Sequence, residues 1–239
     1  MDGSRLSLAL VVAAAGFGVR LGSGLPKQYV PLLGMPMLQR TLHTVSACSR
    51  VDALVVVVNC QDMEYCEEEI GVGQIPKVVK VAAGGDERAL SVRNGLQALV
   101  ELGTWDLIGV HDGARPLVTC EEIERVVDAL ETDPALDGAV LAVPSADTMK
   151  IVSADGLITG SPDRRTLWRA QTPQVFRRQV LLGAYDVPEE VLRTVTDDAA
   201  LVEARGGRVA VVEGSPENFK VTDRFDLRHA EQILAERRM

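Results

Sequence analysis

Apolar runs of strand length punctuate this chain at Leu8–Ala14, Ala53–Val58, Val78–Ala82, Leu107–Val110, Gly138–Val143 and Val209–Val212. They show little polar alternation, which is the pattern of strands covered on both faces and so of a mostly parallel sheet. Helical stripes lie between them. Ile123, Val126, Val127 and Leu130 recur at helix spacing, and the stretch Arg88–Glu101 carries a comparable stripe. From Asp223, an N-cap candidate, to Arg238, a last helix puts Leu227, Ala230 and Leu234 on one side, ends in basic residues, and is expected to pack back on the sheet. Strand and helix in alternation specify an α/β fold with helices flanking a mostly parallel sheet.

From Pro144 to Trp168 the pattern breaks. Gly156, Gly160 and Pro162 interrupt two short apolar stretches at Ile151–Val152 and Leu157–Ile158. The spacing predicts a hairpin-like arm over residues 144–168 with too few apolar residues for a core of its own, so it must lie on the parent domain or on another subunit. Composition narrows the function further. A net charge of −9 and 4% aromatic residues leave neither a basic groove nor a stacking platform for nucleic acid. No apolar run approaches the roughly 20 residues that cross a bilayer, so no membrane partner is expected. Cys48, Cys60, Cys66 and Cys120 form no Cys-x-x-Cys pair, and His43, His111 and His229 are far apart, which argues against a zinc cluster. A chain of 239 residues needs no disulfide framework, so a reducing cytoplasm is the expected compartment. Arg5 ahead of the apolar run Leu6–Ala15 has the look of a secretory leader, but cleavage after Ala15 would remove the strand that the following glycine loop needs.

Nearly every unusual polar cluster begins where an apolar strand ends: Gly16 to Arg20, Gly84 to Arg88, His111 to Pro116, Asp147 to Lys150, and Glu213 to Lys220. Ligands of open parallel sheets bind outside the carboxyl ends of the strands, so these loops are expected to converge on one crevice. The first loop is not a dinucleotide fingerprint. Its third glycine, Gly22, comes one residue late, Gly24 and Pro26 would break the following helix, and no acidic residue follows about 20 positions on. A Walker A loop is excluded by the absence of Gly-Lys-Ser/Thr. What remains is a long glycine loop, Gly16 to Gly24, carrying Arg20 and closed by Pro26-Lys27-Gln28-Tyr29, which reads either as nucleotidyl-transfer machinery or as a surface turn with two solvated cations. Asp112, at a strand end, either holds a Mg²⁺ that bridges phosphates or caps a turn. Arg115 is either a phosphate ligand or a partner for a nearby carboxylate. His111 is expected to be structural, because an ionised phosphate needs no base to attack. Arg164, Arg165 and Arg169 give local positive charge suited to an anionic substrate. Arg177 and Arg178 read better as a solvated basic face, since cations gain nothing at a helix start.

Together these segments resemble a known family, 2-C-methyl-D-erythritol 4-phosphate cytidylyltransferase, over essentially the whole chain. The resemblance is carried by Ala13-Ala14-Ala15-Gly16-Phe17-Gly18 through Arg20, Pro26-Lys27-Gln28, Gly84-Gly85-Asp86-Glu87-Arg88 with Ser91, and His111-Asp112-Gly113-Ala114-Arg115-Pro116. Asp147-Thr148-Met149-Lys150, Asp163-Arg164, Thr172-Pro173-Gln174, Thr196-Asp197-Asp198-Ala199 and Asn218-Phe219-Lys220-Val221-Thr222 extend it. It implies a single Rossmann-like nucleotidyltransferase domain over residues 1–239, a homodimer joined through the β-arm, and Mg²⁺-dependent transfer of CMP from CTP to methylerythritol phosphate. It also implies that Ala14, Ala15, Gly16, Gly18, Gly85, Asp86 and Ser91 bind CTP, and that Arg20, Lys27 and Lys220 surround the triphosphate with Asp112 toward the metal. Arg115, Thr148, Arg164, Thr172 and Thr196 would then address the sugar phosphate, with Thr148 and Arg164 reaching across from the partner subunit. Two rival functions remain at this point: a cytidylyltransferase for another polyol phosphate such as ribitol 5-phosphate, and a nucleotide-binding regulatory domain without turnover. Thr148, Lys150 and Arg164 favour methylerythritol phosphate over the first, and Arg20, Lys27, Asp112 and Lys220 argue against the second.

Overall fold

A computed structural model describes residues 5–16 and 25–237. The chain runs through β1 (Leu8–Ala14), β2 (Pro31–Leu32), β3 (Met35–Pro36), α1 (Met37–Ala47), β4 (Ala53–Val58), α2 (Met63–Glu68), β5 (Val78–Ala83), α3 (Arg88–Leu102) and β6 (Leu107–Asp112). It continues through α4 (Cys120–Thr132), β7 (Gly138–Pro144), β8 (Ile151–Val152), β9 (Ile158–Gly160) and β10 (Trp168–Arg177), then α5 (Arg178–Tyr185), α6 (Glu189–Leu192), α7 (Asp198–Glu203), β11 (Val209–Glu213) and α8 (Arg224–Glu236). The central sheet has seven strands in the order β11-β7-β10-β6-β1-β4-β5. Only β10 runs against its neighbours, pairing antiparallel with both β6 and β7.

The continuous apolar runs explain the layering. Along β1, Leu8, Leu10 and Val12 enter one core while Ala9 and Val11 enter another on the opposite face, and β4 divides in the same way. The first core is closed by Leu38, Leu42 and Val45 of α1 with Ile123, Val126, Val127 and Leu130 of α4. The second is closed by Leu90, Leu96 and Leu99 of α3, Leu181 of α5 and Leu201 of α7. Each fully buried Leu or Val contributes about 1.5–3 kcal/mol, so a strand that feeds two cores is pinned from both sides. Close approach of α3 depends on Gly95, where a Cβ would come within 2.5 Å of Val11.

The structure corrects the sequence reading at four places. Trp168–Arg177 is a strand, although Gln171, Thr172 and Gln174 are polar and Pro173 cannot donate to a ladder. Its pairing with β7 shifts register between Ala170 and Gln174, which accommodates the proline, and its buried polar side chains are hydrogen-bonded across the sheet end. The outer strands β5 and β11 are not covered on both faces, and Val79 and Val211 stand about half exposed. The last helix starts at its expected cap, where Asp223 accepts from the Phe225 and Asp226 amides. It does not pack on the central sheet, however: Ala230 and Ile233 join Val30, Leu32, Met37, Ala114, Leu117 and Val221 in a third cluster. Arg177 is no solvated cation either, since its guanidinium donates to the carbonyl of Leu130 in the last turn of α4 and to those of Asp133 and Leu136 in the loop that follows. Among the described residues no helix is long and apolar enough to cross a membrane.

Candidate active site

β1 and β6 lie side by side with Ala13 opposite Asp112, and the chain leaves both strands at the same end of the sheet. Here the sheet order reverses, with β4 and β5 on one side of β1 and β6 on the other, which is the place where open α/β sheets form a binding crevice. Gly84 follows β5 and donates its amide to the Val58 carbonyl at 2.7 Å. A Cβ on Gly84 would meet the Ala15 Cβ at 2.3 Å and the Ser91 Oγ at 2.9 Å, so the two loops touch only because this residue is glycine. Ser91 then holds the loop closed, accepting from the Gly85 amide at 3.1 Å.

Between these loops is a cavity of about 230 Å³ whose walls include Ala14, Ala15, Gly16, Gly85, Asp86 and Ser91, with Lys27, Asp112 and Lys220 also lining it. A second cavity, about 270 Å³, is lined by Arg115, Gln171, Thr172, Gln174, Thr196 and Asp197. Arg88, Asp112 and Lys220 line both. The structure thus brings together Ala14, Ala15, Gly16, Lys27, Gly85, Asp86, Ser91, Asp112 and Lys220 in one cavity, and Arg115, Thr172 and Thr196 in its neighbour. Gly18 and Arg20 lie outside the described residues. Thr148 and Arg164 line neither cavity; they are exposed, before β8 and after β9.

Asp112 is the electrostatic centre of the shared wall. Its Oδ1 meets Arg88 Nε at 3.1 Å, and its Oδ2 meets Lys220 Nζ at 3.0 Å and Arg115 Nε at 3.4 Å. Burial opposes its charge, but Arg88, Lys220 and Arg115 outweigh that cost and hold its carboxyl well below the usual carboxylate range. Arg115 is therefore a carboxylate partner, and it also donates to the Asn218 carbonyl at 2.7 Å. Thr172 works partly inward, its Oγ1 accepting from the Asp112 amide at 3.0 Å while pairing with His111 Nδ1 at 3.0 Å. His111 is wholly buried, and burial pulls its pKa down to about 4, so near neutrality its ring is uncharged. It holds the wall and faces no cavity.

The sequence motif around Gly84–Arg88 assigns Arg88 no role of its own. Arg88 opens α3, where the helix dipole disfavours a cation, and that mismatch is the signal that could have found it. Its guanidinium bridges Asp112 and, at 2.8 Å, Asp198, a wholly buried carboxylate at the start of α7 that also accepts the Tyr185 hydroxyl.

Among the described residues no group of three or more His, Cys, Asp or Glu could hold a metal ion. Mg²⁺ does not need one, because it is commonly held by one or two carboxylates together with substrate phosphates. Among the described residues Asp112 Oδ1 has a single hydrogen-bond partner, Arg88, and so keeps acceptor capacity at the cavity wall. The donor set fits a metal held mainly by phosphate oxygens and by this one carboxylate.

A family model described as IspD, 2-C-methyl-D-erythritol 4-phosphate cytidylyltransferase, matches residues 8–236. A protein of that name from Geobacter metallireducens is 41% identical over 234 residues, covering 97% of this chain and 99% of the relative. Another of that name, from Symbiobacterium thermophilum, is 41% identical, covering 98% of this chain and 95% of its own. Among solved structures, the 4-diphosphocytidyl-2C-methyl-D-erythritol synthase of Anaerococcus prevotii superposes with a TM-score of 0.79 at 30% identity, covering 96% of each chain. The parallel sheet, the paired cavities and these likenesses agree, and the chain belongs to the 2-C-methyl-D-erythritol 4-phosphate cytidylyltransferase family.

Proposed function

We propose that this protein transfers CMP from CTP to 2-C-methyl-D-erythritol 4-phosphate, giving 4-diphosphocytidyl-2-C-methyl-D-erythritol and pyrophosphate, a step of non-mevalonate isoprenoid synthesis. The observation that carries the reading is the pair of cavities sharing Arg88, Asp112 and Lys220. A group-transfer enzyme needs two substrates to meet at one wall, and the positive side chains there suit two phosphates.

CTP occupies the cavity of Ala14, Ala15, Gly16, Gly85, Asp86 and Ser91, with its triphosphate between Lys27 and Lys220. The family resemblance assigns Gly18 and Arg20 to CTP as well, and both lie outside the described residues. The acceptor's phosphate lies toward Arg115, Thr172 and Thr196. An acceptor phosphate oxygen attacks the α-phosphorus in line; the new P–O bond forms as the bond to the bridging oxygen of the β-phosphate breaks, and pyrophosphate leaves with that oxygen. The attacking group is already an anion, so no base is needed, which agrees with a neutral, buried His111. Lys27 and Lys220 take up the charge that moves onto the leaving group. Asp112, with phosphate oxygens, would hold Mg²⁺, which supplies neutralisation of phosphate charge when bound.

In this reading, residues 144–168 form an arm through which two subunits join, and Thr148 and Arg164 reach the acceptor from the partner's arm. Two observations support it: neither residue lines either of the two site cavities, and Ile151, Val152, Leu157 and Ile158 are each more than half exposed. Release of pyrophosphate from CTP tests the proposal, with methylerythritol phosphate, ribitol 5-phosphate or no acceptor present. Turnover with the first is expected. Turnover with the second alone would move the specificity to another polyol phosphate, and CTP binding without turnover would make this a regulatory domain.

A further inference from the structure

Asp198 is a buried carboxylate that the transfer chemistry above does not use. Replacing a buried ion pair with apolar groups is often neutral or stabilising, so stability alone explains such a residue poorly. Its partners suggest another purpose. One oxygen takes the Tyr185 hydroxyl from the core side, and the other takes a terminal nitrogen of Arg88, which lines both cavities. Arg88 Nε is committed to Asp112 at 3.1 Å. Two carboxylates thus fix the plane of the guanidinium from two directions, and its second terminal nitrogen makes no hydrogen bond among the described residues.

We infer that Asp198, backed by Tyr185, is a positioning residue for phosphate transfer: it fixes the Arg88 guanidinium at the wall between the cavities, with one nitrogen left to meet the transferred phosphate. The inference rests on the transferase reading. The ion pairs are shared unequally: Arg115 and Lys220 pair with Asp112 alone, whereas Arg88 pairs with both Asp112 and Asp198. A planar, forked cation that is held on two sides loses little freedom when it binds a phosphate. Asp198 also ties the two cavities together through the chain. Its neighbours Thr196 and Asp197 line the acceptor cavity, Asp197 caps α7 through the Ala200 amide at 3.0 Å, and Gln174 accepts from the Ala199 amide at 3.0 Å. One short turn therefore shapes the acceptor side and anchors Arg88. On the nucleotide side the turn acts through Arg88 alone, since Ala14, Ala15, Gly16, Gly85 and Ser91 make no pair with Asp198.

The experiment compares wild type, Asp198→Asn and Tyr185→Phe for kcat, both KM values, CTP affinity by calorimetry, and Tm. Asp198→Asn keeps size and loses charge; its kcat is expected to fall about tenfold or more while CTP affinity stays within about twofold. Tyr185→Phe keeps the ring and loses the backing hydroxyl, and its kcat is expected to fall about threefold in the same pattern. If Asp198→Asn does not fold, Tyr185→Phe decides on the same readouts. A folded variant with lowered Tm but unchanged kcat and KM overturns the proposal, because that is what a purely structural role gives. Wild-type protein that releases no pyrophosphate overturns the transferase reading and this proposal with it; wild-type turnover beside an unaltered Asp198→Asn overturns this proposal alone.

Discussion

The two cavities that meet at Asp112 are built by different means. The larger share of the nucleotide side is main chain and small residues: Ala14, Ala15 and Gly16 after β1, Gly85 and Asp86 after β5, with Ser91 stapling the second loop from α3. The acceptor side is made of side chains gathered from distant segments, with Arg115 after β6, Gln171, Thr172 and Gln174 on β10, and Thr196 and Asp197 before α7. A backbone wall is set by strand ends and glycine, and tolerates little added bulk. A side-chain wall is set by ion pairs and hydrogen bonds, and can be retuned for a different acceptor. The difference teaches why one nucleotide crevice can serve several acceptors: specificity resides in the part that is easiest to change.

The comparison can be broken most forcefully at Lys27. Loss of one preorganised cation costs on the order of 3 kcal/mol, so Lys27→Met is expected to fold normally and lose about a hundredfold in kcat. Near-normal turnover in a pyrophosphate-release assay would remove Lys27 from the mechanism. Gly84 sharpens the contrast between the walls. The Cβ of Gly84→Ala has to displace Ala15 and Ser91, and overpacking of that kind costs about 1–3 kcal/mol, so CTP affinity is expected to drop about tenfold while the acceptor KM is unmoved. An equal shift in both constants would show that the two walls are not independent.

The arm gives a third test, of smaller amplitude because only part of the population responds. Mixed Lys27→Met and Arg164→Ala subunits, each inactive alone, are expected to regain some turnover in hybrid dimers; no recovery despite demonstrated subunit exchange would count against a shared site. His111 is expected to have the smallest effect on turnover. Its pKa near 4 places no inflection in kcat around pH 6.5, the ordinary value for the ring. Stability behaves differently. The unfolded chain binds this proton at higher pH than the folded one, so stability from this residue is whole above about pH 6.5 and declines as pH falls toward 4. Urea melts across that interval check the sign, and a His111→Asn protein should lack this share of the slope.

Much of the fold was legible because apolar strands declare themselves locally. Leu8–Ala14 and Ala53–Val58 begin and end where the sequence places them, since runs that feed two cores admit no polar residue until the strand leaves the sheet. β10 is hidden by its chemistry: Gln171, Thr172 and Gln174 are buried with partners as remote as Ser215, His111 and Asp197, and no local pattern signals those partners. The same distinction runs through the site. Ala14, Ala15, Gly16, Gly85 and Lys27 follow from loops that open at strand ends. Arg88 and Asp198 matter through each other and through Tyr185, across 110 positions of sequence in the case of the ion pair. Arg177 reads as a surface cation for the same reason, because the carbonyls of Leu130, Asp133 and Leu136 that it binds lie more than 40 residues away.

The account stands on one arrangement: CTP and the acceptor's phosphate in adjoining cavities, facing each other across Arg88, Asp112 and Lys220. A crystal structure of the protein with an α,β-methylene analogue of CTP and methylerythritol phosphate tests it most directly. The expected density puts the triphosphate between Lys27 and Lys220, its α-phosphate beside Arg88, and the acceptor's phosphate against Arg115. Nucleotide bound away from the glycine loops, or an acceptor phosphate on the far side of Asp198, would contradict it.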